Sequence, residues 1–277
     1  MTERPLTGIK LVNLSSNVPG PVAAARLVEL GAAATKVEPP AGDPLKTFAG
    51  SWYDLLSKGQ TVVRIDLKTQ QGRTQLDRLL DDADLLLTSF RPSALRRLGI
   101  DWENLHPQHP RLCAVNIIGH PQPDEELPGH DLTYQAKLGM LRPPSLPITL
   151  YADMSGAERA VGISLALLLN FARTGQAGFA SVSLYDVMRE IAAPLAAGLT
   201  SQDGILGGTF PLYGLYRATD GWIAIAALEP AFAQRLSAEM ELRFSTRAEL
   251  EGIFSTRSAS DWERWAQEHD LPIVKVE

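Results

Sequence analysis

The sequence predicts an α/β fold, a doubly wound parallel sheet, followed by a second, smaller α+β domain. Strand-like runs alternate with helical segments through residues 9–118, which is the pattern of consecutive βαβ units. The first unit is compact, with a strand at residues 9–14, a helix at 21–30 and a second strand at 33–37. A later hairpin pattern, turned at Asp220-Gly221, departs from this alternation. Two unequal domains are therefore expected.

The remaining elements follow in chain order. In the first domain we expect strands at residues 62–66, 85–88, 112–118 and 181–184, helices at 71–80, 132–138, 157–173 and 185–197, and short helical turns before Gly99 and at 102–105. The glycine-rich stretch 198–208 predicts a linker, so the boundary is placed near residue 200, between a large domain (1–200) and a small one (201–277). The small domain should contain hairpin strands at 212–216 and 222–226 and helices at 232–240, 247–254 and 259–269.

Bulk composition favours an ordinary globular enzyme. The 277 residues are 45% hydrophobic and 21% charged, and the net charge of −6 argues against a nucleic-acid partner. The apolar runs are too short for a membrane-spanning helix and the first residues lack the apolar core of a signal peptide, so a cytoplasmic protein without a membrane partner is expected. The single cysteine, Cys113, lies in an apolar run and is expected to be a buried, inert thiol.

Several catalytic signatures are missing. The five histidines show no zinc-site spacing, and the sequence contains no G-x-S-x-G, Walker loop or G-x-G-x-x-G, so no metal or prosthetic group is expected. An anionic ligand remains open, because Lys36, Arg91, Arg96 and Arg97 lie at or after the carboxyl ends of predicted strands, where ligands bind in such sheets. These cations either capture a phosphate or belong to a solvated helix face.

One stretch in the middle of the chain carries the best candidates for proton transfer. His130 precedes a predicted helix whose N-cap would be Asp131, and Asp153 precedes a second helix opened by a capping box of Ser155 and Glu158. The positive end of a helix favours an ionised carboxylate and a neutral imidazole, so His130 and Asp153 form a candidate pair of bases. Each also has a purely structural interpretation: His130 as a structural histidine, and Asp153 as a second helix cap.

An ordered set of short motifs resembles the family III CoA-transferase superfamily, which includes α-methylacyl-CoA racemases and carnitine CoA-transferases. The motifs are Gly20-Pro21, Gly31-Ala32, Lys36-Val37-Glu38-Pro39, Gly42-Asp43-Pro44, Asp66-Leu67-Lys68, Phe90-Arg91-Pro92, Arg97-Leu98-Gly99, Ala172-Arg173-Thr174-Gly175, Ser183-Leu184-Tyr185-Asp186, Tyr213-Gly214-Leu215-Tyr216 and Asp220-Gly221. The resemblance covers nearly the whole chain. It implies a Rossmann-like large domain, an interlocked homodimer, and coenzyme A held as part of the substrate by Lys36, Arg91 and Arg97.

Within that superfamily the chain is most similar to the racemase branch, whose members usually continue several dozen residues further at the C-terminus. The branch carries Gly-His-Asp, Ala-Asp and a Glu-Pro in the small domain, which are matched by Gly129-His130-Asp131, Ala152-Asp153 and Glu229-Pro230. The resemblance implies that His130 and Asp153 face opposite sides of the substrate α-carbon. It also implies that Glu229 orients His130, and that Asp131 caps its helix and shapes the enolate pocket.

A missing carboxylate argues for the racemase branch. Transferases of the superfamily use an aspartate nucleophile in a Gly- and Pro-rich loop, and the corresponding loop here, residues 138–147, contains neither Asp nor Glu. We therefore expect an acyl-CoA racemase or epimerase that works by α-proton abstraction and return. The alternatives are a CoA-transferase with its nucleophile relocated to Asp131 or Asp153, and a non-catalytic subunit that binds CoA esters.

Overall fold

Two compact units make up the chain. The computed structural model describes residues 4–242 and 246–277, and the units are Met1–Ile191 and Ala192–Glu277. The break falls ahead of the position near residue 200 that the glycine-rich stretch predicts. The interlocked homodimer stays a prediction.

Six parallel strands form the sheet of the first unit, in the order β3-β2-β1-β4-β5-β6. They are β1 (Lys10–Asn13), β2 (Ala33–Glu38), β3 (Gln60–Arg64), β4 (Leu85–Thr88), β5 (Cys113–Ile118) and β6 (Phe179–Ser183). The strand order reverses between β1 and β4, which is the topological switch point of a Rossmann-like sheet. The predicted α/β class is confirmed.

Helices cover both faces of this sheet. They are α1 (Pro19–Glu29), α2 (Leu45–Phe48), α3 (Gly50–Ser57), α4 (Gln70–Leu80), α5 (Pro92–Leu98), α6 (Trp102–Gln108), α7 (Asp131–Lys137), α8 (Tyr151–Thr174) and α9 (Leu184–Ile191). Successive strand residues point to opposite faces, so Leu85 and Leu87 pack in one core with α1, α8 and α9, whereas Leu86 packs in another with α4, α5 and α6. The sequence did not predict α2 or α3.

The second unit is an antiparallel sheet with its own core. Its strands are β7 (Tyr213–Arg217), β8 (Trp222–Ala226) and β9 (Ile273–Lys275), and its helices are α10 (Ala193–Ala196), α11 (Pro230–Glu239), α12 (Arg247–Phe254) and α13 (Ala259–Glu268). The predicted hairpin is β7 and β8, and β9, which was not predicted, pairs with the other edge of β8. Tyr216, Phe254 and Trp262 are buried at the centre of this core.

The helix predicted at residues 185–197 is wrong as a single element. It is divided into α9 and α10, and Pro194 lies just after the break. Proline has no N–H to donate and its ring collides with the carbonyl four residues earlier, so a continuous helix through this position is disfavoured.

Within residues 4–242 and 246–277, no helix is both long and apolar enough to cross a membrane.

Candidate active site

A cavity of about 290 Å³ lies in the first unit at the switch point of the sheet. Its wall includes Ser16 from the loop after β1, Arg91 from the loop after β4, and Gly119 at the end of β5. His130 and Asp153 line the same cavity. The structure therefore brings both proton-transfer candidates and one predicted CoA contact to a single site, where the carboxyl ends of the central strands diverge.

A second, mostly apolar cavity of about 170 Å³ shares Ser16 and Phe90 with the first. It is lined by the ends of β1, β2 and β3 and by α5, through Leu14, Val37, Ile65, Leu67 and Leu98 among others. The cavity that contains His130 and Asp153 therefore adjoins an apolar cavity along the same edge of the sheet.

Asp131 caps the start of α8. Its Oδ2 accepts hydrogen bonds from the backbone N–H groups of Ala152 (2.6 Å) and Asp153 (3.1 Å), which have no partner inside their own helix. Its Oδ1 accepts a hydrogen bond from the Gln135 side chain, and only 4% of Asp131 is exposed. The prediction that Asp131 caps its own helix is therefore wrong, because its carboxylate serves the helix that follows.

The predicted capping box of Ser155 and Glu158 is also wrong. Helix α8 begins at Tyr151, so Ser155 and Glu158 lie inside it, and the N-cap position is occupied by Leu150. A leucine side chain offers no acceptor to the first N–H groups. The distant Asp131 supplies that acceptor instead, which sequence spacing alone did not indicate.

Asp153 is held in its protonated form up to neutral pH. Burial, and after it the nearby negative charge of Asp131, raise the pKa of its carboxyl from 3.8 to about 7. The expectation that the helix end would favour an ionised Asp153 is corrected by this arrangement. The N–H groups of that helix end are bonded to Asp131, so the favourable helix field stabilises the Asp131 charge and not that of Asp153.

His130 stands at the N-cap position of α7, which the sequence had assigned to Asp131. Its backbone N–H donates to the Thr133 hydroxyl (3.0 Å), and that hydroxyl donates back to the His130 carbonyl (2.8 Å). The backbone of His130 is therefore fixed, while its side chain is exposed and lines the cavity. An imidazole in this position can reach a bound ligand.

Tyr134 is a cavity residue that the sequence reasoning missed. It is 1% exposed, lies four residues after His130 and lines the same cavity. A Cβ at Gly129 would lie 2.5 Å from its Cε1, and a Cβ at Gly119 would lie 2.6 Å from its hydroxyl. Both glycines are therefore required by the Tyr134 ring. The i, i+4 spacing from His130 was the signal that could have indicated it.

The basic residues divide into buried and exposed members. The Lys36 ammonium is 2.7 Å from the Asp43 carboxylate, and both side chains are 1% exposed. Asp43 also accepts hydrogen bonds from the backbone N–H groups of Asn17 and Leu45, so this ion pair holds the loops beside the cavities. Arg91 and Arg97 are exposed. That Lys36, Arg91 and Arg97 contact coenzyme A stays a prediction.

The remaining candidates are exposed or structural. Arg96 is exposed and pairs with Glu126 at 3.8 Å, which agrees with a solvated helix face. Glu229 is exposed at the N-cap position of α11 in the second unit, and its role towards His130 stays a prediction. Cys113 is fully buried and burial raises the pKa of its thiol, as expected for an inert cysteine. In the described part of the chain, no three His, Cys, Asp or Glu side chains are grouped as a metal site.

The sequence and the fold are similar to those of known proteins. The sequence model of the family described as CoA-transferase family III matches residues 6–277. The probable fatty acyl-CoA transferase Rv3272 of Mycobacterium tuberculosis is 27% identical over 97% of this chain and 81% of that protein. Its crystal structure has a TM-score of 0.87 and covers 99% of this chain and 84% of the crystallised chain.

Relatives with both kinds of chemistry are found. The α-methylacyl-CoA racemase of Homo sapiens is 31% identical over 83% of this chain and 63% of that protein. The cinnamoyl-CoA:phenyllactate CoA-transferase of Clostridium sporogenes is 32% identical over 64% of this chain and 48% of that protein. The chain thus spans less than two thirds of either of these two relatives.

Proposed function

Because this chain belongs to CoA-transferase family III, we propose that it is an acyl-CoA racemase or epimerase, which moves the proton on the α-carbon of a CoA thioester. The observation that carries this proposal is the Asp153 carboxyl, with its pKa of about 7, in the same cavity as His130. A group whose pKa is close to the working pH gives and takes protons with similar ease, as reversible proton transfer requires.

His130 and Asp153 have complementary roles in the proposed reaction. The imidazole of His130 takes the α-proton from one side, the electron pair moves to the thioester oxygen, and the protonated Asp153 gives a proton to the opposite side. In the reverse direction the roles are exchanged. Asp131 positions Asp153 by holding the first turn of α8, and Glu229 is proposed to orient the imidazole.

The adjoining cavities suit the two halves of a CoA thioester. We place the acyl carbonyl and α-carbon in the cavity with His130 and Asp153, and part of the CoA moiety in the apolar cavity that shares Ser16 and Phe90. The exposed guanidinium groups of Arg91 and Arg97 are then candidates for the CoA phosphates. Coenzyme A is part of the substrate here, and the chemistry uses no prosthetic group.

A CoA-transferase is the second candidate, because such enzymes are among the relatives. A carboxylate nucleophile must be ionised and free. Both oxygens of Asp131 already accept hydrogen bonds, and the raised pKa of Asp153 keeps that carboxyl protonated up to about neutral pH. These two facts favour proton transfer over acyl capture. A non-catalytic CoA-ester-binding subunit remains the third candidate.

The test is incubation of the wild-type protein in D₂O with each enantiomer of a 2-methylacyl-CoA. We expect deuterium at the α-carbon and inversion of configuration, with the thioester intact. Transfer of CoA from the thioester to a free carboxylic acid, together with an intermediate trapped by hydroxylamine and no inversion, would favour the transferase instead. Tight CoA binding without either reaction would favour the non-catalytic subunit.

A further inference from the structure

The hydroxyl of Tyr134 is a buried donor without a partner. It is inaccessible to solvent and makes no hydrogen bond with any residue that the structure describes. Leaving a buried hydroxyl unpaired is energetically costly. Buried polar groups are therefore nearly always satisfied, and an exception beside a ligand cavity indicates a partner that arrives with the ligand.

Two glycines pack against this hydroxyl. Gly119 and Gly129 flank it, and a Cβ at either position would lie 2.6 or 2.7 Å from the oxygen. A carbon atom at these distances would collide with the oxygen, so only glycine at these two positions is compatible with the Tyr134 hydroxyl. Tyr134, both glycines, His130 and Asp153 all line the same cavity.

The ring itself is held firmly. It packs edge-on against His120 (centroids 5.2 Å apart) and Tyr185 (6.3 Å), inside the core that also contains α8 and α9. The position of the hydroxyl is therefore set by the fold. A donor that is already fixed costs no reorganisation when charge develops on a ligand atom.

We propose that the Tyr134 hydroxyl donates a hydrogen bond to the carbonyl oxygen of the bound thioester and keeps it as that oxygen becomes an enolate. This inference rests on the proposed function and adds a residue to it. As the α C–H bond breaks, its proton goes to His130 and its electron pair moves towards the oxygen that Tyr134 faces. Tyr134 keeps its own proton, and the enolate collapses when Asp153 protonates the opposite face.

The electrostatic environment supports a donor role. Burial, and after it the charges of Asp153 and Asp131, raise the pKa of the Tyr134 hydroxyl to about 12. The hydroxyl therefore remains protonated throughout the pH range in which Asp153 titrates. It acts as a hydrogen-bond donor and not as a base.

The Tyr134→Phe variant tests this role without disturbing the packing. The phenylalanine keeps the ring contacts, and the lost hydroxyl has no protein partner, so thermal stability should be unchanged or slightly higher. We expect kcat for α-proton exchange to fall by roughly 10²- to 10³-fold, whereas KM should rise only about fivefold. Tyr185→Phe is the matched control, because Tyr185 belongs to the same aromatic cluster but does not line the cavity. An exchange rate in Tyr134→Phe equal to that of Tyr185→Phe would overturn the inference.

A binding measurement separates this inference from the proposed function. Calorimetry should compare isobutyryl-CoA with the thioether S-isobutyl-CoA, in which CH₂ replaces the carbonyl. We expect the wild-type protein to bind the thioester about fivefold more tightly, and Tyr134→Phe to lose that preference. A preference that depends on Tyr134 in a protein without exchange activity would support the inference and reject the racemase. The absence of any preference in the wild type would reject the inference, whatever the exchange rate.

Discussion

The Asp153→Asn variant is expected to lose the proposed racemase activity and to gain stability above neutral pH. Asparagine has nearly the shape of the carboxyl group but cannot deliver a proton, so inversion of configuration should fall by roughly 10²- to 10⁴-fold. The loss of activity and the gain of stability have one cause. The environment that keeps a proton on the Asp153 carboxyl also disfavours the ionised form of that carboxyl.

The sign of the stability effect follows from proton linkage. The Asp153 carboxyl has a pKa of about 7 in the fold and 3.8 as its ordinary value, so the folded state holds this proton more tightly than the unfolded state. The contribution of this carboxyl to wild-type stability therefore falls as the pH rises through that interval and is lowest above it. The asparagine variant escapes this loss, and its relative gain should grow by roughly 2–3 kcal/mol between pH 5 and pH 8.

Denaturant unfolding at both pH values measures this gain. Glu158→Gln is the matched control, since it removes a charge from an exposed position of the same helix, where Glu158 pairs with Arg26. The control should show no comparable growth with pH. A stability difference between wild type and Asp153→Asn that stays constant from pH 5 to pH 8 would show that the fold does not raise the pKa of the Asp153 carboxyl.

The Asp131→Ala variant should lose stability and activity together. The substitution leaves the N–H groups of Ala152 and Asp153 without an acceptor and removes a buried charge-assisted contact. We expect the free energy of unfolding to fall by roughly 2–4 kcal/mol. The freed helix end would then attract the Asp153 carboxyl in its ionised form, which removes the proton donor from the site.

Comparison with an ordinary helix cap makes this prediction specific. Thr69 caps α4 through one hydrogen bond to the Gly72 N–H, and Thr69→Ala should cost only about 1 kcal/mol with unchanged activity. Asp131→Asn keeps one acceptor oxygen. Its loss in the free energy of unfolding should lie between the losses for Thr69→Ala and Asp131→Ala. An Asp131→Ala protein as stable and as active as Thr69→Ala would contradict the role assigned to Asp131.

The sheet could be predicted from sequence because its strands carry local signals. Strand β4 was predicted at its observed bounds, because its run of three leucines is the apolar pattern of a buried strand. The end of the helix at Gly99 could also be predicted, because this position has a positive φ of 71°, which favours glycine. Strand β9 was missed because three residues near the end of the chain form a strand only through pairing with β8.

The sequence indicated two residues that line the cavity, but not the contacts that determine their chemistry. Motif resemblance identified His130 and Asp153, and the cavity contains both. The raised pKa of Asp153 was missed because it arises from burial and from the charge of Asp131, whose contacts with α8 cross the loop at residues 138–150. Tyr134 was missed because an aromatic residue inside a helix normally indicates packing, and only the structure reveals its unpaired hydroxyl.

The central claim is that His130 and Asp153 act on opposite faces of the same α-carbon. It is tested most directly by enantiomer-specific exchange in D₂O, measured by NMR for the wild-type protein, His130→Gln and Asp153→Asn. We predict that the wild type exchanges and inverts both enantiomers, whereas each variant inverts neither and exchanges only the enantiomer whose proton faces its remaining base. The two variants should prefer opposite enantiomers. Variants that exchange both enantiomers at the wild-type rate, or that prefer the same one, would contradict the account.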